Sequence, residues 1–215
     1  LAKQFGFCYG VEQAIDLESP ADGGPDLTLR WAALLHDVGK PATREFGPNG
    51  RVSFHHHEVV GAKLARNRLR ELKCGKQLIG DVGQLVFLHL RFYGYRSGEW
   101  TDSAVRRYVV DAGPLLPRLH KLVRSDCTTR NARKAAALST AYDTLEQRIA
   151  ELQQREELAA IRPDLDGNEI MKLLGIPAGP LVGKAYQHLL GLRMEHGPLG
   201  PDRAVEELNR WYAEQ

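Results

Sequence analysis

Apolar and polar positions alternate at helical spacing along almost the whole chain. Residues 27–38 form an apolar helical stretch, with Asp26 placed to cap its start and Gly39 and Pro41 to end it. The pattern returns over residues 57–72 and 77–92. Thr101 or Asp102 can cap a helix through Val110, and Pro114 starts another that runs to about Ser125. Earlier, residues 11–17 are a short amphipathic stretch, and residues 19–25 are a loop rich in chain breakers. Residues 43–54 depart from this pattern. Asn49-Gly50 between two short β-prone runs predicts a small hairpin.

Residues 131–158 contain neither Gly nor Pro, and Leu138, Tyr142, Leu145, Ile149 and Leu152 alternate spacings of four and three. That is the seam of one long helix packed along its length. The character changes after Arg162-Pro163. Asp166 and Glu169 have capping-box spacing, with Ile170, Leu173 and Leu174 on one face. Pro180 suits the first turn of a helix to about Glu195, and Asp202 is placed to cap a last helix through Trp211. The reading is an all-α protein with one small hairpin. It comprises a helical bundle over residues 1–130, a long connecting helix over 131–160 and a small helical unit over 161–215.

Composition narrows the class. The chain has 215 residues, 43% hydrophobic and 26% charged, in the range of an ordinary globular protein. No apolar run approaches the roughly 20 residues that span a bilayer, so no membrane partner is expected. The first residues lack the charged-then-apolar order of a signal peptide. They begin at Leu1 rather than Met, as expected of a fragment or a processed chain. Cys8, Cys74 and Cys127 are odd in number and far apart, which argues against a disulfide framework or a zinc knuckle. A reducing, cytoplasmic setting is expected.

Candidate chemistry centres on His36-Asp37, two metal-ligand types at the end of an apolar helix. Buried polar groups are costly unless partnered, and a divalent metal or a phosphate is such a partner. A hydrolytic metal site on helices gathers His and carboxylate ligands from several of them and keeps one coordination position open. The further candidates are His55, His56 and His57, then His89, then Asp126. His57 stands out of its triplet because Glu58 and Gly61 follow it at a helix start. His89 has an apolar setting that suits a core histidine as well as a ligand, and Asp126 can equally cap a turn. Lys40 is placed to neutralise a substrate phosphate, which makes His36, Asp37 and Lys40 the candidate catalytic residues.

The net charge of +2 does not by itself indicate a nucleic-acid partner, but its distribution is uneven. Lys63, Arg66, Arg70 and Lys73 crowd one region, and Arg130, Arg133 and Lys134 another. Such groups give salt-dependent, sequence-independent contacts to phosphates, or simply a solvated helix face. Gly179-Pro180 before a helix, with Lys184 one turn in, can seat a phosphate at the helix N-terminus.

The order His36-Asp37, His57, His89, Asp126 resembles the HD-domain phosphohydrolases, an all-helical superfamily that binds divalent metals. The resemblance implies a metal of the Mg, Mn or Ni class held by those five residues. It also implies one more His before the pair, expected near residues 5 to 7, where the chain reads Phe5-Gly6-Phe7. No His precedes His36, so the implied ligand set is one short. Residues 30–44, 54–63 and 167–183 look like the C-terminal half of bacterial CCA-adding tRNA nucleotidyltransferases, and residues 88–95 and 98–107 are similar to their actinobacterial branch. In that family the 167–183 stretch belongs to the body and tail that grip tRNA. The family's N-terminal head carries nucleotidyl transfer on a Gly-Ser turn together with an Asp-x-Asp pair, a combination that does not occur here. The resemblance thus implies a tRNA partner and a missing head, and the chain alone is not expected to add nucleotides. The other reading is a free-standing metal-dependent phosphohydrolase acting on phosphomonoesters or 2′,3′-cyclic phosphates. A non-catalytic scaffold, its polar side chains bonded to one another, is the third. The sequence leaves the oligomeric state unknown.

Overall fold

The computed structural model describes residues 25–92, 100–126, 131–158 and 161–215. The amphipathic stretch at 11–17, the loop at 19–24 and the expected position of the extra His lie outside the described residues.

The described fold is all-α with one two-stranded antiparallel sheet. Its elements are α1 (Leu27–Leu35), β1 (Glu45–Phe46), β2 (Val52–Ser53), α2 (His57–Glu71), α3 (Lys76–Leu88), α4 (Asp102–Ala112), α5 (Leu116–Ser125), α6 (Ala132–Arg155), α7 (Gly167–Leu174), α8 (Pro180–His196) and α9 (Pro201–Tyr212). Two compact units divide it. One comprises residues 1–99 and 112–144, the other 100–111 and 145–215. This division differs from limits near 130 and 160: α6 is shared between the units, and most of α4 falls in the second. The α6 seam explains the sharing. Buried Tyr142 serves the first unit, while buried Leu145, Ile149 and Leu152 serve the second.

In the first unit Asp26 caps α1 by accepting from the Leu29 amide at 3.0 Å. It also accepts from Arg118 of α5 at 2.8 Å. The helix ends at Leu35 rather than at Val38. Pro41 has no N–H to offer the Asp37 carbonyl, and Lys40 N takes it instead at 3.0 Å, tightening the chain into a turn. A short 3-10 helix, Lys40–Thr43, leads into the hairpin. There Glu45 pairs with Ser53 and Phe46 with Val52, and Gly50 turns the chain at φ +71°. Helices α2 and α3 pack along small residues. Gly61, Ala62 and Ala65 of α2 are buried, and Gly83 of α3 leaves the space that the Arg66 side chain fills. Leu119, Leu122 and Val123 of α5 complete this core. Tyr142 stacks on Phe92 at 4.0 Å and donates its hydroxyl to the Val123 carbonyl.

The second unit has its own core of Leu165, Ile170, Ala185, Leu189, Ala204 and Leu208. Asp166 and Glu169 form the full reciprocal capping box on α7, and Gly175 ends that helix at φ +65°. The last helix starts two residues earlier than the acidic cap implied. Gly200 is its N-cap and Pro201 its first residue, so Asp202 lies in the first turn without capping. A buried ionic triad holds the unit together. Arg106 makes a two-pronged bond to Glu156, at 3.1 and 2.7 Å, and Arg193 adds a third at 2.7 Å. Arg106 also donates to the Met194 and Glu195 carbonyls at the end of α8. Bonding to Arg106 holds the Glu156 carboxyl below its usual range despite burial.

Candidate metal centre

Four helix ends meet at one place in the first unit. His36, His89 and Asp126 are the residues that close α1, α3 and α5, and His57 opens α2. Asp37 follows His36 in the turn after α1. The partial negative charge at three helix C-termini favours a cation there.

Backbone contact sets the position of His57 against the His36-Asp37 pair. A Cβ added to Gly39 would lie 2.2 Å from the His57 carbonyl oxygen and 2.7 Å from the Gly61 amide. Only glycine allows the turn after α1 to rest on the first turn of α2. His56, with φ +60° and ψ +23°, adopts the left-handed conformation just before α2. The result sorts the histidine triplet. His55 and His56 are exposed, whereas His57 is buried.

Three imidazoles share one hydrogen-bond pattern. The Nδ1 atoms of His36, His57 and His89 lie 2.7, 2.8 and 2.6 Å from the carbonyl oxygens of Ala33, Phe54 and Val86, each three residues back. A carbonyl only accepts, so each Nδ1 carries the proton and donates it. The three Nε2 atoms are buried and make no aligned hydrogen bond with any described residue. They converge around Asp37. His36 Nε2 is 3.3 Å from Oδ2, and His57 and His89 Nε2 are 3.3 and 3.9 Å from Oδ1. Asp126 Oδ1 approaches His36 Nε2 at 3.2 Å. The His89 ring meets the other two edge to face, with centroids 5.3 and 5.2 Å away.

This arrangement divides the histidines electrostatically. At His36 burial pulls the pKa down, but the Asp126 and Asp37 carboxylates outweigh it and raise it to about 10. At His89 burial dominates, with His36 adding to it, and the pKa falls to about 4. Burial also disfavours ionised Asp37, yet His36 and Lys40 hold it well below the carboxylate range. Lys40 Nζ donates to Asp37 Oδ2 at 2.6 Å, so it sits at the centre's edge.

The donor set fits a divalent ion. Two groups, Asp37 with His57 and His89, and His36 with Asp37 and Asp126, each have their ligand atoms within 4.8 Å of one another. Metal-ligating histidines commonly donate their other ring N–H to a carbonyl, as all three do here. Unpaired buried nitrogens are otherwise costly.

The structure thus brings together His36, Asp37, His57, His89, Asp126 and Lys40. Of the basic residues, Lys63, Arg70 and Lys73 on and after α2, Arg133 and Lys134 on α6, and Lys184 on α8 are exposed. Arg66 is half-buried against Gly83, and Arg130 lies outside the described residues. Sequence reading passed over the orienting carbonyls and took Gly39 only as a helix stop, missing its contact with α2; the only signals were the i−3 spacing and a glycine after the His-Asp pair. It also passed over the Asp-x-Asp spacing at Asp164-Leu165-Asp166. Both carboxylates there hold backbone: Asp164 accepts from the Leu199 amide and Asp166 caps α7.

The chain belongs to the HD-domain family, whose model matches residues 8–152. It is 36% identical over 192 residues to the A-adding tRNA nucleotidyltransferase of Deinococcus radiodurans, covering 88% of this chain and 43% of that protein. It is also 37% identical over 173 residues to the CC-adding tRNA nucleotidyltransferase of Thermus thermophilus, covering 79% of this chain and 36% of the relative. The chain spans less than half the length of these curated relatives. A shorter match, 33% over 78 residues, joins it to the multifunctional CCA protein of Neisseria meningitidis.

Gly39→Ala tests the backbone contact that builds the centre. It should lower stability by about 1–3 kcal/mol, the usual cost of overpacking, whereas Gly80→Ala, on α3 with open space around it, should raise it by about 0.5–1 kcal/mol. Urea unfolding of both variants reads the difference, and equal effects would contradict the contact.

Proposed function

We propose that this chain is the tRNA-engaging, HD-domain portion of a tRNA nucleotidyltransferase, with nucleotidyl transfer carried by a head outside this sequence. The observation that carries the reading is similarity along 88% of the chain to an enzyme of that kind. Exposed cations support it. Lys63, Arg70, Lys73, Arg133 and Lys134 in the first unit, and Lys184 at the start of α8 in the second, offer phosphate contacts to an RNA backbone. Arg66 contributes its charge from a half-buried position, and Arg130 adds to the basic run by sequence. A cytoplasmic setting accords with this role. Among the described residues no helix is long and apolar enough to cross a membrane.

Fluorescence anisotropy with labelled tRNA across a salt series tests this reading. The expected result is a logarithmic loss of affinity with salt. Replacing Lys63, Arg70 and Lys73 together by Gln should reduce the slope by about 2–3, roughly one per lost phosphate contact. Binding with no salt slope, or no binding at all, would contradict it.

A second reading, metal-dependent phosphoester hydrolysis, is favoured by the three buried Nε2 atoms that face Asp37 without a hydrogen-bond partner among the described residues. Mixed imidazole and carboxylate donors suit Mn or Ni better than Mg, which prefers oxygen shells. When bound, a divalent ion supplies Lewis-acid charge to a phosphoryl oxygen. The chain's own residues do the rest. The carbonyls of Ala33, Phe54 and Val86 fix the imidazoles. Lys40, partly exposed at the edge, offers its ammonium to a phosphate. His36 Nε2 lies between Asp37 and Asp126, at 3.3 and 3.2 Å.

Hydrolysis of a 2′,3′-cyclic nucleotide and of an aryl phosphate, with Mn²⁺ or Ni²⁺ and with EDTA, tests the second reading. Asp37→Asn and His89→Gln should each lower the rate about 100-fold, at the upper end of losses from disturbed metal sites. Equal rates in wild type and both variants would rule it out.

A further inference from the structure

We infer that the cleft beside the buried ionic triad of the second unit is an anion site, which takes a phosphate group on Arg193 with Arg162 at its rim. The inference is independent of the metal centre. It also goes beyond the tRNA reading, which draws its phosphate contacts from other cations. The cleft has a volume of about 380 Å³, and Arg193 and Glu156 of the triad line it together with Arg162, Pro163, Asp164 and Pro198. Small-molecule sites start at about 300 Å³. Arg193 is only 7% exposed, yet its side chain makes a single hydrogen bond among the described residues, from Nη1 to Glu156 at 2.7 Å. Its Nε and Nη2 are not among the nitrogens sealed off without a partner, so they keep access to solvent. The cleft is the open space that Arg193 lines. A guanidinium has five N–H donors, and most of those on Arg193 await an acceptor.

Charge points the same way. Arg106 and Arg193 place two cations on one buried carboxylate. Arg106 is well supplied, with two bonds to Glu156 and two to the carbonyls of Met194 and Glu195. The excess positive charge therefore falls on Arg193, where burial weakens screening. The planar edge of a guanidinium matches two oxygens of a phosphate. Arg162 is exposed, and its side chain has no partner among the described residues, so it adds a second cation. Two carboxylates also line the cleft, those of Glu157 and Asp164. Asp164 is engaged already: its Oδ2 accepts from the Leu199 amide at 3.1 Å. That bond ties together the two walls that carry Pro163 and Pro198. Gly197 shapes the second wall at φ +86°, where a Cβ would stand 2.9 Å from Arg106 Nη2 and 3.2 Å from Glu156 Oε1. The walls are thus set by the chain itself, which lowers the cost of binding.

The test titrates the whole chain, by calorimetry at constant ionic strength, with inorganic phosphate, with adenosine 5′-monophosphate and with a short single-stranded RNA that lacks terminal phosphates. At least one of the three should bind saturably. Arg193→Lys keeps the charge but loses the planar fork, and it should weaken that binding at least tenfold. Arg162→Gln should weaken it about threefold or more. Loss confined to phosphate and the mononucleotide assigns the site to a phosphomonoester, and loss that includes the RNA assigns it to a backbone phosphate. Either supports the inference. Thermal melts establish that each variant is folded, and Arg162, being exposed, keeps the test decisive if Arg193→Lys is unstable. No saturable binding of any probe, or affinities within twofold of wild type in both variants, would overturn the site. Weakening by Arg193→Lys alone would overturn the part given to Arg162.

Discussion

The candidate centre depends on a backbone contact. Gly39 lies against the first turn of α2 so closely that no side chain fits between them. That contact sets the distance from His36 and Asp37 to His57, and Gly61 provides the matching space from the other helix. With α1 and α2 locked in this way, packing of α3 and α5 brings in His89 and Asp126 at the ends of their helices. The glycine contributes no chemistry, yet it sets the geometry in which the ligands meet.

The second layer of control is the bond from each Nδ1 to a carbonyl three residues back. It fixes both the tautomer and the ring plane, and it turns an ordinary helix-end histidine into a directed donor. The same burial that makes unpartnered nitrogens costly keeps His89 neutral, while the paired acids make His36 basic. One small site therefore holds imidazoles of opposite character.

Much of the fold was legible because it is local. Asp26, the capping box at Asp166 and Glu169, and Pro180 mark helix starts within a few residues of the chain, and the structure uses each. The α6 seam was legible as a periodicity, but not which residues it would serve, because periodicity carries no partner. The His-Asp pair stood out because two polar groups end an apolar helix. His89 remained ambiguous in sequence, since an apolar setting describes a core histidine and a ligand equally. The triad of Arg106, Glu156 and Arg193 left no trace, since Glu156 is 50 residues from Arg106 and 37 from Arg193. Asp202 misled because a proline after glycine can start a helix without an acidic cap.

Similarity and geometry speak to different properties of this HD-domain chain. The relatives point to tRNA, while the buried imidazoles point to a cation. The two are compatible, since an RNA-holding body can carry its own metal centre. What joins them is the claim that the imidazoles are preset as ligands before any ion arrives. Nitrogen-15 NMR of the histidine rings in metal-free protein at neutral pH tests that claim most directly. The account predicts protonated Nδ1 and bare Nε2 at His57 and His89. Protonated Nε2 with bare Nδ1 at either residue would contradict it.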